Sequence, residues 1–274
     1  MSTLKPEDYL EPNCLLCEKP VGTKKQIERI PQQRISEKVD ELMGRKQYKA
    51  AEDLLKYWVG EATQNGDDQG LFMVYNEMMG YYRKVGKKEE AYDVVEKAMG
   101  MLKDLGYTDS VSGATCYVNA ATVYTVFEDY ERALGLFRKA GVIYEKNPLH
   151  NEYKLASLYN NSATALTPLG RYAEAEENYQ KAIEVLQTIE NGELEIATSY
   201  LNRIDILLSQ GKTNDPRIEE FLEKAQEYLD KENVERDSYY SYVADKCVGI
   251  YDYFGWFRYA NELRERIKEI DERA

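Results

Sequence analysis

One short phrase recurs along the chain at a nearly constant interval. A turn residue is followed by polar or charged residues and then by a small residue that opens an amphipathic run, as in Tyr-Lys-Ala-Ala at 48–51 and Tyr-Glu-Arg-Ala at 130–133. The last residue of each phrase anchors one of six units: Ala51, Ala91, Ala133, Ala175, Ile218 and Ala260. Successive anchors are 40, 42, 42, 43 and 42 residues apart. Such units bury their apolar faces by stacking, so this period constrains the fold more than any other feature.

Three further positions recur at similar distances from the anchors. A second small residue follows four of them at an interval of seven: Ala98, Ala140, Ala182 and Ala225. Seven residues are about two helical turns, so both small residues share one helix face and let two helices approach closely. An aromatic or aliphatic residue precedes each anchor: Leu42, Tyr82, Tyr124, Leu166, Leu207 and Tyr251. Glycine occurs between the two helices of several units, where a helix C-cap needs a left-handed residue: Gly86, Gly170, Gly211 and Gly255.

The fourth unit shows the pattern most fully. Residues 159–182 read Tyr-Asn-Asn-Ser-Ala-Thr-Ala-Leu-Thr-Pro-Leu-Gly-Arg-Tyr-Ala-Glu-Ala-Glu-Glu-Asn-Tyr-Gln-Lys-Ala. This pattern resembles the tetratricopeptide repeat, and the resemblance extends over residues 34–274 in six units. The period is longer than the common one of about 34 residues. In this it is similar to the repeats of kinesin light chains and related bacterial proteins.

The resemblance implies an all-α protein, a right-handed α-α superhelix of about six helix pairs. We predict these pairs at 34–45/47–64, 69–85/88–105, 110–127/130–146, 151–169/172–190, 194–210/216–231 and 237–254/257–272. Residues 1–33 contain four prolines and no helical period, so we expect an extended N-terminal arm there. The stacked pairs should form a single repeat domain over residues 34–274.

The charge of the chain bounds its partners. The formal net charge is −13, and both nucleic acids and anionic membranes repel an acidic protein. No apolar run approaches the length of a membrane span. The N-terminus lacks the basic start and apolar stretch of a signal peptide. We therefore expect a cytoplasmic protein with a protein or peptide partner, and no nucleic-acid or membrane partner.

The resemblance also implies where such a partner would bind, because the first helix of each tetratricopeptide pair lines a concave groove. The groove residues predicted in this way are Asn76, Arg83, Lys84, Asn119, Thr122, Asn160, Asn161, Thr164, Asn202, Asp205 and Lys246. Asn119, Asn161 and Asn202 occupy the same place in three consecutive units. An amide can pair with both the C=O and the N–H of an extended peptide, and related tetratricopeptide proteins use Asn in this way. The alternative is a polar residue tolerated on a solvated face.

The family's clamp for a C-terminal carboxylate needs Lys and Arg at several consecutive repeats. Here Thr125, Thr167 and Asp252 stand where a basic residue would help. The sequence therefore does not favour recognition of an acidic C-terminal tail.

Residues suited to catalysis are scarce. The single histidine, His150, lies in a turn without a nucleophile motif beside it, and a surface role is the simpler interpretation. Cys14 and Cys17 have CxxC spacing, but zinc needs two more ligands, and Cys116 and Cys247 fall within distant helices. No Gly-rich phosphate loop or dinucleotide motif is present. We predict no catalytic residue, no metal and no cofactor.

The resulting hypothesis is a noncatalytic scaffold that binds a peptide or protein segment in the groove. A peptide-sensing regulatory protein and a self-associating structural module are the alternatives. A homodimer is another expectation, because no capping helix follows the apolar Leu263, Ile267 and Ile270 of the last unit. The arm could instead lie along the first repeat or in the groove.

Overall fold

The computed structural model of the protein describes residues 27–147 and 151–273. Over these residues it contains twelve helices and no strand. The helices are α1 (Gln32–Gly44), α2 (Tyr48–Asn65), α3 (Asp68–Val85), α4 (Lys88–Met101), α5 (Val111–Val126), α6 (Tyr130–Lys146), α7 (Glu152–Leu166), α8 (Tyr172–Leu186), α9 (Glu193–Ser209), α10 (Arg217–Leu229), α11 (Ser238–Tyr253) and α12 (Phe257–Asp271). All twelve predicted helices are confirmed, with ends that differ by at most four residues.

The repeated small residues are buried, as their spacing predicts. The five alanine anchors and the four alanines that follow an anchor by seven residues are fully buried: Ala51, Ala91, Ala133, Ala175 and Ala260, and Ala98, Ala140, Ala182 and Ala225. Ile218, which replaces alanine in the fifth unit, is 5% exposed. A methyl side chain at these positions lets the backbones of neighbouring helices approach closely, so the period of the sequence is a period of packing.

Each helix pair turns through one residue in the left-handed conformation. The φ angles of Gly86, Gly170, Gly211 and Gly255 are between 71° and 82°, which confirms the turn predicted at these glycines. The first and third repeat units make the same turn without glycine. Lys46 has a φ of 57° in the first, and Glu128 has a φ of 66° in the third. A side chain at such a φ is strained by its own Cβ.

The chain also divides into two larger compact units, each of which contains several repeat units. They are the first compact unit, Met1–Asp129, and the second compact unit, Tyr130–Ala274. In the first unit, α3 packs against α1, α2, α4 and α5. The segment that precedes α1 is fixed to this unit at Ile30, which is 4% exposed. Its backbone N–H donates to Asp67 Oδ2 at 2.9 Å, and the other carboxylate oxygen accepts from Gly70 N at 3.0 Å. Glycine is required at position 70, since a Cβ there would overlap both Asp67 and Ile30. The rest of the predicted arm, residues 1–26, lies outside the described residues.

A buried carboxylate joins α2 to the start of α4. Glu52 is 7% exposed, and its carboxylate binds Lys56 Nζ at 2.7 Å and Lys87 Nζ at 2.9 Å. The hydrogen bonds from these two ammonium groups lower the pKa of Glu52 to about 2. The carboxylate is therefore ionised at neutral pH.

The second unit consists of α6 to α12, and α9 packs against α8, α10 and α11. Its core is continuous through Leu201, Ile204, Phe221, Leu222 and Tyr251, which are at most 3% exposed. Near its end, Arg266 Nη1 donates to Asp230 Oδ1 at 2.5 Å and to Tyr240 Oη at 2.9 Å. This arginine thus links α12 to α11 and to the end of α10. Of the described helices, none is long and apolar enough to cross a membrane.

Candidate binding groove

A groove in the second unit is formed by α7, α9 and α11, the first helices of three consecutive pairs. It has a volume of about 460 Å³. Several of the residues predicted from the sequence line it together: Asn160, Asn161, Thr164, Asn202 and Lys246. These side chains come from three different helices, so the packing of successive pairs brings them to one surface.

The groove side chains form two layers. Residues in the first turns of the three helices make the phenol–carboxylate layer: Tyr153, Glu195 and Tyr239. Residues seven positions later on the same three helices make the amide layer: Asn160, Asn202 and Lys246. Seven residues advance an α-helix by about 10 Å, which is therefore the spacing of the two layers along each helix.

The amides of the groove differ in how far they are used within the protein. Asn160 Oδ1 accepts a hydrogen bond from Ser199 Oγ at 2.9 Å, and this bond joins α7 to α9. Asn161 Nδ2 donates to Ser157 Oγ at 3.4 Å, a long contact. The Asn202 side chain makes no hydrogen bond to any residue in the described ranges, although it lines the groove. Asn202 is consequently the groove amide whose donors and acceptor are not used by any described residue.

The phenol–carboxylate layer is held by a shared oxygen. Tyr153 Oη donates to Glu195 Oε1, and Tyr239 Oη donates to the same oxygen at 2.5 Å. Burial, followed by the bond to the carboxylate, raises the pKa of Tyr153 to about 12, and the same causes raise the pKa of Tyr239. Both phenols therefore remain protonated donors at neutral pH.

The sequence reasoning missed this layer. Tyr153, Glu195 and Tyr239 were available from one signal, because each stands seven positions before a groove residue of the amide layer. Tyrosine and glutamate are so frequent in this chain that no single occurrence attracts notice. Only the alignment of three helices shows that these three side chains meet.

One further aromatic side chain extends the layer on α11. The Tyr242 ring stacks near Tyr239, with ring centroids 6.4 Å apart. Lys246 Nζ lies 3.9 Å from the centroid of the Tyr242 ring, which is a close cation–π contact. The aromatic surface of α11 thus already holds one ammonium group at the edge of the groove.

Thr164 and Asp205 occupy the other side of the amide layer. Thr164 Oγ1 donates to Asn160 O at 3.1 Å and lies 3.1 Å from Tyr179 Oη, so this hydroxyl is engaged within the protein. Asp205 lines an adjoining cavity of about 290 Å³ with apolar neighbours that include Ile250 and Tyr253. Desolvation by these surroundings raises the pKa of the Asp205 carboxyl.

The remaining predicted residues lie in the first compact unit, on α3 and α5. Asn119 Nδ2 donates to Asn76 Oδ1 at 3.0 Å, and Thr122 Oγ1 donates to Asn119 O at 2.8 Å. Arg83 and Lys84 form the last turn of α3, where positive charge interacts favourably with the helix dipole. In this unit, the structure places the two predicted asparagines in contact with each other across α3 and α5.

The structure describes two of the four cysteines. Cys116 and Cys247 are buried, and burial raises the pKa of each thiol to about 12, so neither forms a thiolate readily. No group of three or more His, Cys, Asp or Glu within residues 27–147 and 151–273 is arranged to hold a metal. Cys14, Cys17 and His150 lie outside the described residues.

The paired helices, the buried anchors and the shared turn define the class: the chain is an all-α protein with the fold of tetratricopeptide-type helical repeats. Comparison with known families agrees, since the model of the family described as "Soluble NSF attachment protein, SNAP" matches residues 43–211, more than half of the chain. The chain therefore belongs to the SNAP family.

Similar solved structures share the fold at low sequence identity. BtubC (BKLC) from P. vanneervenii is 20% identical with a TM-score of 0.61, over 72% of this chain and 78% of that chain. A Podosopora anserina kinesin light chain protein with nearly identical TPR-like repeats is 17% identical with a TM-score of 0.50, over 73% and 94%. A Rap protein complexed with Competence and Sporulation Factor is 16% identical with a TM-score of 0.59, over 88% and 64%.

Among curated proteins, a Clustered mitochondria protein homolog from Debaryomyces hansenii is 29% identical over 121 residues. The match covers 43% of this chain but only 9% of that protein. The chain thus corresponds to a small part of this relative.

Proposed function

We propose that the protein is a noncatalytic protein–protein interaction scaffold that binds an extended peptide or protein segment in the groove of α7, α9 and α11. The observation that carries this proposal is the Asn202 amide, which lines the groove and has no hydrogen-bond partner among the described residues. An amide in this state keeps one acceptor and two donors for a ligand.

The chemistry of the groove suits a peptide backbone. A main chain offers an N–H and a C=O at each residue, and Asn202 can pair with both. Asn161 lies on the neighbouring helix, and its bond of 3.4 Å to Ser157 is weak enough to be exchanged for a better one. Two amides on adjacent helices can hold an extended segment without reading its side chains.

The comparisons support an attachment role. The family to which the chain belongs is described as an attachment protein, and a Rap protein of similar fold is complexed with Competence and Sporulation Factor. The buried, protonated thiols of Cys116 and Cys247 are unsuited to nucleophilic catalysis, which favours a noncatalytic role. The net charge of −13 favours a protein or peptide partner over nucleic acid or an anionic membrane surface.

The test uses a random peptide library displayed on phage and selected on the immobilised full chain. Selected peptides are then synthesised with a fluorescent label, and their binding is measured by anisotropy. We expect the variant Asn161→Ala/Asn202→Ala to weaken binding by about tenfold or more, since each amide contributes hydrogen bonds of about 1 kcal/mol. Asn261→Ala is the matched control, because Asn261 is an exposed asparagine on α12 outside the groove.

Two results would contradict the proposal. One is a library from which the full chain enriches no peptide. The other is equal binding of the selected peptides by the double variant and by the wild-type chain. Circular dichroism melting of each variant establishes that a lost affinity is not a lost fold.

Peptide sensing and self-association are the alternative functions. The Rap protein complex favours the first of them, in which a short peptide changes the state of the array. A homodimer and a cytoplasmic location both stay predictions from the sequence. Light scattering over a range of concentrations tests the dimer, and a constant monomer mass would remove it.

A further inference from the structure

The phenol–carboxylate layer contains a carboxylate that is only half satisfied. Glu195 Oε1 accepts from both Tyr153 Oη and Tyr239 Oη, and these two hydroxyls are 3.4 Å apart. Glu195 Oε2 is buried and has no hydrogen-bond partner within the described residues. A buried acceptor without a donor is unfavourable, and a charged one more so. A hydrogen-bond donor placed at Glu195 Oε2 would therefore stabilise the layer, and a positively charged donor would stabilise it most.

The walls around this oxygen suit a cation. Tyr153 and Tyr239 are 47% and 44% exposed and line the groove together with Glu195, so a ligand in the groove meets these two tyrosines next to Glu195. Aromatic faces attract cations, and the same surface already does so, since Lys246 Nζ lies 3.9 Å from the Tyr242 ring centroid. A carboxylate flanked by aromatic rings is complementary to a guanidinium or an ammonium group and repels an anion.

We propose that Tyr153, Glu195 and Tyr239 form a subsite for one basic side chain, preferably arginine, of the segment held in the groove. This inference rests on the proposed function and adds a sequence preference to it. The guanidinium donates to Glu195 Oε2 once the carboxylate turns this buried oxygen toward the groove, and its plane stacks on a tyrosine ring. A planar guanidinium makes both contacts at once, whereas an ammonium is a compact and strongly hydrated charge. For that reason arginine is favoured over lysine.

The two layers set the spacing of the preference. Glu195 and Asn202 are seven residues apart on α9, which corresponds to about 10 Å along the helix. An extended peptide covers this distance with about three residues, at roughly 3.3 Å per residue. The basic side chain should therefore lie about three positions from the residue whose backbone Asn202 binds.

The experiment uses the peptides selected from the phage library on the full chain. We expect a basic residue at one fixed position among them. Replacing it in a synthetic peptide by citrulline, which keeps the shape and loses the charge, should weaken binding about tenfold. Glu195→Gln should weaken binding of the arginine peptide to the same extent and leave binding of the citrulline peptide unchanged. Glutamine at position 195 keeps an oxygen for both tyrosines, so the fold is retained.

Glu193→Gln is the matched control, because Glu193 is on the same helix but its carboxylate binds Asn233 at 2.8 Å, outside the groove. It should leave binding of both peptides unchanged. Selected peptides without a basic position would overturn this inference and leave the proposed function standing. A basic position whose benefit survives in Glu195→Gln would also overturn it. If the full chain enriches no peptide, the proposed function fails, and this inference fails with it.

Discussion

Asn119 on α5 donates a hydrogen bond of 3.0 Å to Asn76 on α3, so two residues predicted to bind a ligand bind each other. Asn76 in turn donates to Phe72 O at 2.8 Å. An equivalent contact occurs one pair earlier, where Ser36 Oγ on α1 donates to Glu77 Oε1 on α3 at 2.7 Å. In the first compact unit, polar residues at these two adjacent positions of the repeat thus join the first helix of one pair to the first helix of the next pair.

We expect Asn119→Ala to lower the free energy of unfolding by about 1–2 kcal/mol, because the Oδ1 of Asn76 loses its donor in a partly buried place. Urea unfolding followed by circular dichroism measures the change. A double-mutant cycle with Asn76→Ala should show that the two effects are coupled.

Asn202→Ala is the control for this prediction. Asn202 stands at the same place of its unit without an internal partner among the described residues, so its replacement should change stability by less than about 0.5 kcal/mol. If Asn119→Ala were equally silent, the contact with Asn76 would not stabilise the fold.

The ion pairs of Glu52 predict how stability depends on pH. The folded pKa of Glu52 is about 2, below its ordinary value of 4.5, so its contribution is fully present above about pH 4.5 and is lost as the pH falls toward 2. We expect Glu52→Gln to lower stability at pH 7 by about 1–3 kcal/mol and to reduce the acid sensitivity of unfolding. Thermal melts between pH 2.5 and 7 measure both effects.

The control for Glu52 is Asp53→Asn, next to it on α2. Asp53 pairs with Lys49 at 2.6 Å, but both side chains are at least half exposed, so this pair is worth less than about 1 kcal/mol. Parallel stability curves of Glu52→Gln and the wild-type chain between pH 2.5 and 4.5 would contradict the assignment.

The Arg266 contacts predict a weak point at the end of the second unit. Arg266→Met keeps much of the side-chain volume but leaves Asp230 with the Tyr259 hydroxyl, 3.0 Å away, as its partner. We expect a loss of about 2–3 kcal/mol in the free energy of unfolding, since a partly buried carboxylate loses its cation. Calorimetry measures it, and Asp230→Asn should then add little to Arg266→Met.

Arg273→Met is the matched control on the same part of the chain, because Arg273 is 72% exposed and its contact with Glu269 is 3.4 Å long. A change of less than about 0.5 kcal/mol is expected there. Equal effects of the two substitutions would show that the Asp230 contact has no special weight.

The sequence predicted the fold far better than the site. Helices, turns and buried alanines follow from a local period, and Ala175 or Gly170 carries its structural requirement in its own residue type. The state of an amide does not, because Asn119 and Asn202 look identical in sequence while only the first meets a partner. That difference depends on Asn76 of the preceding pair, a residue 43 positions away. The phenol–carboxylate layer was missed for the same reason, since Glu195 gains meaning only between Tyr153 and Tyr239.

The last prediction concerns the turn between the two helices of the third repeat unit. Glu128 has a φ of 66° at the place where Gly86, Gly170, Gly211 and Gly255 occur in other units. The left-handed conformation costs a residue with a Cβ about 1–2 kcal/mol, whereas glycine adopts it freely at a somewhat larger cost in unfolded-state entropy. We therefore expect Glu128→Gly to stabilise the protein by about 0.5–1 kcal/mol. Lys46→Gly should have the same effect in the first repeat unit.

The opposite substitution provides the control. Gly170→Ala places a Cβ on a residue with a φ of 71°, where open space surrounds the new methyl group, so strain of the backbone is its main effect. It should destabilise the protein by about 1 kcal/mol. Thermal melts of the three variants separate the explanations. If glycine at 128 or 46 lowered the melting temperature, the side chain present there would contribute more than the strain removes, and the turn alone would not set the preference.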